Sequence, residues 1–456
     1  MNKLKIGYAS TIVNPPLGYP VSGYYVDRFG KGFIDDLEAS ALALSCADKT
    51  ALIISVDNAG FCQPLIAKFL TAINAKTNVD KDYIFISATH SHTAPSANYP
   101  EVFNVDEQNV IDYDNFLIEK LTEISVKALD DLKPAKMGFA VGHAPDRIAY
   151  IRRYKMKDGS TWTCPPINDP NIDHPIGELD QRVNVIRFTR ENADDVVIMN
   201  YGLHADTVNG DMFCSDWVGW VRRTIEKSLD GTKCMCIMGA QGDVGSTNVH
   251  PIPGDMNDTE ISFDNEMKSP GMARFVGRAL AGVILQVYDK VAYVPVDDIF
   301  AIKKVLPVKL NIPDKKDLPL ARKYKELYES GRSDEIPYTG MQLTTVVAEA
   351  LRMCEMENDP EFKDLNVSGL KIGNVAFISL PGEAFTDIGV QIKATEGFDL
   401  ILPCVITNGY EGYFPVKSAY DEGGYEARTS HYTSDIANEL VTCAKNILVE
   451  LKKSSI

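Results

Sequence analysis

Two histidines, one glutamate and one tyrosine stand where apolar runs give way to turns: His90, His204, Glu383 and Tyr413. Glycine, proline or small polar residues surround each of them. Catalytic groups are commonly displayed on loops at strand ends, whereas histidines that only fill space sit inside the apolar runs. Imidazole nitrogens with a carboxylate and a phenol form a donor set for a metal ion, so the pattern points to a metal-dependent hydrolase. The chain has only seven histidines in 456 residues.

Each motif also has a plainer reading. Thr89-His90-Ser91-His92-Thr93-Ala94-Pro95 ends a strand-like run with two histidines two apart. In extended geometry both face the same way, so one can bind a metal while the other orients a substrate; two ordinary loop histidines fit equally well. Asn200-Tyr201-Gly202-Leu203-His204-Ala205-Asp206 sets a carboxylate two residues beyond a histidine, where it can orient the imidazole or where the histidine simply caps a strand. Gly239-Ala240-Gln241-Gly242-Asp243-Val244-Gly245-Ser246 is a glycine-rich turn that permits close backbone approach and can offer N–H groups to an oxyanion. Leu380-Pro381-Gly382-Glu383 delivers a carboxylate from another strand end. Tyr410, Tyr413, Tyr420 and Tyr425 crowd one polar, glycine-rich stretch, as core residues or as a platform for a flat or sugar-like ligand. No pair has the compact spacing of H-E-x-x-H or C-x-x-C, so spacing alone leaves their convergence open. His143, His174, His250 and His431 are isolated and read as surface or packing residues.

These residues need strands to carry them. Strand-like runs cover 51–56, 83–87, 196–200, 234–238, 375–380 and 400–407, and helical periodicity covers 113–132, 216–229, 271–291 and 433–451. Their alternation predicts an α/β fold with central mixed β-sheets flanked by helices. No repeat or linker breaks the chain, which reads as one domain over 1–456, with 314–366 a charged, helical surface excursion. Composition is that of a globular protein, 45% hydrophobic and 24% charged. The formal charge of −17 disfavours nucleic acid and anionic membranes and leaves a small-molecule substrate. No apolar segment is long enough to span a bilayer, and the N-terminus lacks a signal-peptide core. Nine scattered cysteines, Cys234 and Cys236 on one strand face among them, read as buried thiols in a reducing, cytoplasmic setting.

Taken in order, these stretches resemble the neutral/alkaline ceramidase family, specifically its catalytic N-terminal domain in a short bacterial form without the C-terminal immunoglobulin-like domain. The likeness runs from Gly7 and Thr11-Ile12-Val13-Asn14-Pro15-Pro16 to the Tyr425 region. The family's T-H-T-H-S-G-P reads here Thr89-His90-Ser91-His92-Thr93-Ala94-Pro95, and its L-P-G-E falls on Leu380 to Glu383. Its tyrosine pair falls on Tyr413 and Tyr425, with Tyr420 between. The resemblance implies one Zn²⁺ held by His90, His204, Glu383 and Tyr413, a donor set that Fe²⁺ or Mn²⁺ also tolerates. It implies that His92 and Tyr425 hydrogen-bond the substrate carbonyl, and that Arg152, or its neighbour Arg153, is the active-site arginine. The family's serine in G-D-x-S-P-N falls either on Gly245 or, with one inserted residue, on Ser246. The lack of an evident apolar insert and the polar-aromatic loop Asp158-Gly159-Ser160-Thr161-Trp162 direct the expectation to an amide more polar than ceramide. Two alternatives accompany it: an ester, lactone or glycosidic bond in a sugar-like substrate, and a metal-containing binding protein without turnover.

Overall fold

The computed structural model describes residues 4–95, 107–252 and 268–454. The larger sheet is built from β1 (Lys5–Ile12), β2 (Glu38–Cys46), β3 (Lys49–Val56), β4 (Ile84–Ala88), β5 (Lys133–His143), β6 (Arg182–Arg190), β7 (Asp195–Tyr201), β8 (Thr232–Met238) and β9 (Ala292–Val294). Its order is β8-β7-β6-β5-β1-β2-β3-β4, with β9 added to β5. A second sheet has the order β10 (Ile299–Lys309), β11 (Phe362–Ile372), β12 (Val375–Leu380), β13 (Leu400–Val405). Both are mixed: β3/β4, β7/β8 and β12/β13 pair in parallel, the other ladders antiparallel.

Alternation along the strands decides how the layers stack. Leu42 and Leu44 join Ile53, Phe85, Ile198 and Met235 in a core shared with Leu370, Phe377 and Leu402 of the second sheet. Their neighbours Ala41, Ala43, Leu52 and Ile54 belong instead to the core under the helices. The two sheets therefore face each other, with helices outside. Helices α1 (Gln63–Thr77), α2 (Glu107–Asp130), α3 (Asp216–Ser228) and α4 (Pro270–Val287) cover the larger sheet. Each fully buried large side chain contributes about 1.5–3 kcal/mol. A one-residue slip of β2 would exchange its leucines and alanines between the two cores, so the register is firmly set.

Sequence periodicity placed the six strands β3, β4, β7, β8, β12 and β13 and the helices α3 and α4 within a few residues of their observed bounds, and α2 with its start six residues late; the middle strands of the larger sheet, β1, β2, β5 and β6, were not among the predicted runs. Helix α1 was not legible; it starts at a proline in its first turn and ends at Asn78 in the left-handed conformation, φ 57°. Cys234 and Cys236 are both buried in the helix-side core, as strand alternation requires. In the predicted excursion, α5 (Leu318–Glu329) and α6 (Gly340–Glu355) pack on each other around Leu327, Ile336, Val346 and Val347, and strand structure resumes at Phe362. The chain closes with α7 (Thr386–Lys393), α8 (Lys417–Glu422), α9 (Tyr425–Thr429) and α10 (Ile436–Lys453), the last lying on β10 and β11. Among the described residues no helix is long and apolar enough to cross a membrane.

Candidate metal centre

The motifs meet because they leave one edge of the two sheets. The C-terminal ends of β3, β4, β7, β8, β12 and β13 lead to Ala59, His90, His204, Gln241, Glu383 and Tyr410 respectively. Parallel pairing puts the ends side by side within each of the pairs β3/β4, β7/β8 and β12/β13, and packing of β8 against β3, β4 and β13 brings the three pairs together, the usual kind of location for a site in an α/β sheet. A two-residue parallel pairing of Glu383–Ala384 with Tyr413–Phe414 sets Glu383 opposite Tyr413, and Glu383 N–H donates to Gly412 O at 2.8 Å. An isolated bridge between Ser87 and Thr407 ties the two sheets together beside this edge.

His90 does not lie in extended backbone as the sequence pattern predicted. It follows the last residue of β4 by two positions and takes φ 59°, a left-handed turn. That turn, rather than strand alternation, brings His90 Nε2 within 3.3 Å of His92 Nε2. His90 Nδ1 is 2.6 Å from Ala59 O, and His204 Nδ1 is 2.9 Å from both Gln241 O and Val244 O. A carbonyl oxygen only accepts, so each Nδ1 carries the proton and each neutral ring turns the Nε2 lone pair inward.

Those lone pairs converge on a carboxylate. Glu383 Oε2 lies 3.2 Å from His90 Nε2 and 2.8 Å from His204 Nε2. Glu383 is fully buried, yet its Oε2 has no hydrogen-bond donor among the described residues, while Oε1 accepts from Tyr410 Oη at 2.8 Å. A buried anion facing two imidazole lone pairs requires a compensating positive charge. A proton answers part of that need: burial disfavours a charged His90, but Glu383 outweighs it and the imidazole pKa rises. Burial likewise pushes the Glu383 carboxyl up, and the two imidazoles reverse this and hold it well below the usual range. A divalent cation answers the need with both rings neutral. Donors about 2.1 Å from a tetrahedral ion are about 3.4 Å apart, close to the separations seen here, so the residues fit a metal ion.

The surroundings add a third imidazole and a guanidinium. His90, His92 and His204 are all buried, with ligand nitrogens within 4.8 Å of one another. His92 is thus placed to bind the ion or to face its open side. Burial lowers the pKa of His204 and, more strongly, of His92. Arg152 NH2 donates to Tyr413 Oη at 3.0 Å and to Gly242 O at 2.9 Å, and its NH1 is 3.4 Å from His204 Nε2. Glu426, fully buried, anchors the same guanidinium through Nε at 2.7 Å. Arg153 points away to Glu422 and Gly423, so Arg152 is the arginine in the cluster. Burial raises the Tyr413 phenol pKa well above its ordinary value even beside Arg152.

The remaining predicted residues distribute unevenly. The Tyr425 ring meets the Tyr413 ring edge-on at 5.6 Å. Ser246 is buried just beyond a short strand, Val244–Gly245, that pairs with Tyr150–Ile151 next to Arg152. A Cβ built on Gly245 would lie 3.7 Å from Arg152 Cβ, so position 245 faces the aliphatic stem of that arginine. Asp206 does not orient His204; His204 already has two carbonyl partners. Asp206 instead stands 3.6 Å from His92 Nδ1 and pairs with Tyr24 and Lys268. Tyr420 is outside the cluster, its hydroxyl 2.9 Å from that of Ser430. Tyr410 and Glu426 were missed as site residues. Tyr410 reads from the sequence only as part of the tyrosine-rich stretch, and Glu426 follows Tyr425 directly, which was the available signal.

The whole chain superimposes on a neutral ceramidase from Pseudomonas aeruginosa with a TM-score of 0.74 and 14% sequence identity, covering 100% of this chain and 75% of that one. A structure described as a ceramidase complexed with C2 gives 0.73 and 13%, over 100% of this chain and 76% of its own. The fold is ceramidase-like. At that identity the likeness bears on architecture, and the mixed sheets flanked by helices agree with it. No protein-family model and no curated protein matches the sequence.

Proposed function

We propose that this protein is a zinc-dependent hydrolase that cleaves an amide (C–N) bond in a polar small molecule. The observation that carries the reading is the Glu383 carboxylate, buried and without a donor at Oε2 between two imidazoles whose protons are committed elsewhere. His90, His204, Glu383 and Tyr413 would hold the ion, with His92 as the alternative nitrogen. When bound, such an ion polarises a carbonyl and brings the pKa of a water to about 7.

The chain's own groups do the rest. Arg152, pinned by Glu426 and Gly242 O, keeps a fixed positive charge against His204 and Tyr413. His92 and Tyr425 flank the same space and would donate to a developing oxyanion, each worth about 3 kcal/mol to the transition state. The nine cysteines form no disulfide, which supports the cytoplasmic location expected from reduced thiols.

The test is turnover of a panel of polar amides, measured alongside zinc content. Chelation should abolish turnover and added Zn²⁺ restore it, with one zinc per chain in the wild type and none in His204→Ala. Hydrolysis that survives complete metal removal would refute the proposal.

A further inference from the structure

Close to the Tyr413 side of the candidate metal centre, α6, α9 and the Thr161–Thr163 strand border a pocket that is open in part to solvent. It is lined by the Thr161–Thr163 strand, Trp162 included, and by Tyr338 and the first turns of α6, including Gln342. Tyr425 and Arg428 line the floor. Tyr425 belongs to both places, since its ring also contacts that of Tyr413. The excursion is braced toward the centre as well: Tyr328 Oη donates to Tyr25 O at 2.9 Å, and the Tyr25 ring meets Tyr425 edge-on at 6.5 Å.

The lining selects a chemistry. Among the described residues the only charged side chain on it is Arg428, which is committed to Glu349 and so is not free for a phosphate or carboxylate. Hydroxyl and amide groups interrupt the apolar surface an alkyl chain would need. Thr161 Oγ1 is buried with no hydrogen-bond partner. A buried hydroxyl left in that state is unusual and calls for a partner. The Gln342 amide, also on the lining, makes no side-chain hydrogen bond to the described residues. Three aromatic residues, Trp162, Tyr338 and Tyr425, together with the Thr161 hydroxyl and the Gln342 amide suit a ring that carries C–H faces and hydroxyls at its rim.

We infer that this pocket is the subsite for a neutral, polyhydroxylated ring, a pyranose, attached to the amide that the metal centre cleaves. The assignment of the cleaved bond rests on the function proposed above; the recognition of the ring does not. The probe is N-acetylglucosamine, which joins such a ring to an amide, compared with N-cyclohexylacetamide, which has the amide and no hydroxyls. Each is titrated into full-length, metal-stripped protein and followed by ligand-observed NMR.

N-acetylglucosamine should bind at least tenfold tighter than N-cyclohexylacetamide, and at least tenfold weaker to Trp162→Ala and to Gln342→Ala. Trp162 packs against Tyr154, Met156, Ile172 and Val249, so the Gln342 variant and the ligand pair decide the matter should Trp162→Ala unfold. Equal binding of the two ligands, binding indifferent to Gln342→Ala, or no binding of N-acetylglucosamine would overturn the inference. Saturable sugar binding without metal uptake or hydrolysis would instead remove the proposed activity and leave the subsite standing.

Discussion

Replacing Glu383 by glutamine tests the metal centre without changing its shape. The amide keeps the volume and the Tyr410 contact but removes the anion that lies 2.8 and 3.2 Å from two imidazole nitrogens. Partners that merely orient a metal ligand are worth 10–100-fold in affinity, so loss of an anionic ligand should cost at least about 100-fold. With zinc at a thousand times the wild-type dissociation constant, binding stabilises the wild type by about 4 kcal/mol and the variant by about 1.4 kcal/mol. Unfolding entropy scales with length, and for a chain of 456 residues each kcal/mol moves the midpoint by roughly 1 °C. Zinc should therefore raise Tm by about 4 °C in the wild type and by between about 1 and 2 °C in Glu383→Gln. Thermal denaturation in chelator and in zinc, followed by far-UV circular dichroism, reads the difference directly. An equal zinc-induced rise in both proteins would show that this carboxylate does not ligate the ion.

Two glycines in one turn should behave oppositely. A Cβ on Gly242 would lie 2.5 Å from the backbone oxygen of Glu383. Gly242→Ala must therefore displace the ligand-bearing segment, and its zinc content should fall to under half that of the wild type by elemental analysis. A Cβ on Gly245 meets only Arg152 at 3.7 Å, so Gly245→Ala should keep its zinc and unfold within about 1 kcal/mol of the wild type in urea. The second prediction concerns acid stability. Burial, aided by Arg352 and Lys363, lowers the His431 pKa to about 4. The unfolded imidazole, near its ordinary pKa of about 6.5, then binds protons that the folded one refuses. This contribution is complete above pH ~6.5 and is lost as pH falls towards ~4, by up to about 3 kcal/mol. His431→Asn should lose correspondingly less stability between pH 7 and pH 4 in urea titrations, and an unchanged pH dependence would count against a half-buried imidazole held neutral.

Apolar periodicity alone settled the layer type, the six strands of the three parallel pairs and several helices, because burial on sheet faces and helix stripes writes a period of two or 3.6 into the chain. It also marked His90, His204, Glu383 and Tyr413 as residues displayed at the ends of such runs. The sequence could not bring them together, since 293 positions separate His90 from Glu383 and local pattern carries no information at that range. Pairing between distant strands did that, by setting the parallel ends of six strands along one edge and Glu383 in register with Tyr413. Only the tertiary structure chose Arg152 over Arg153, turned His90 inward through a left-handed residue, and moved Asp206 from His204 to His92. Each of those choices depends on which backbone carbonyls and charges a side chain meets across the fold, and such contacts leave no mark on the neighbouring sequence.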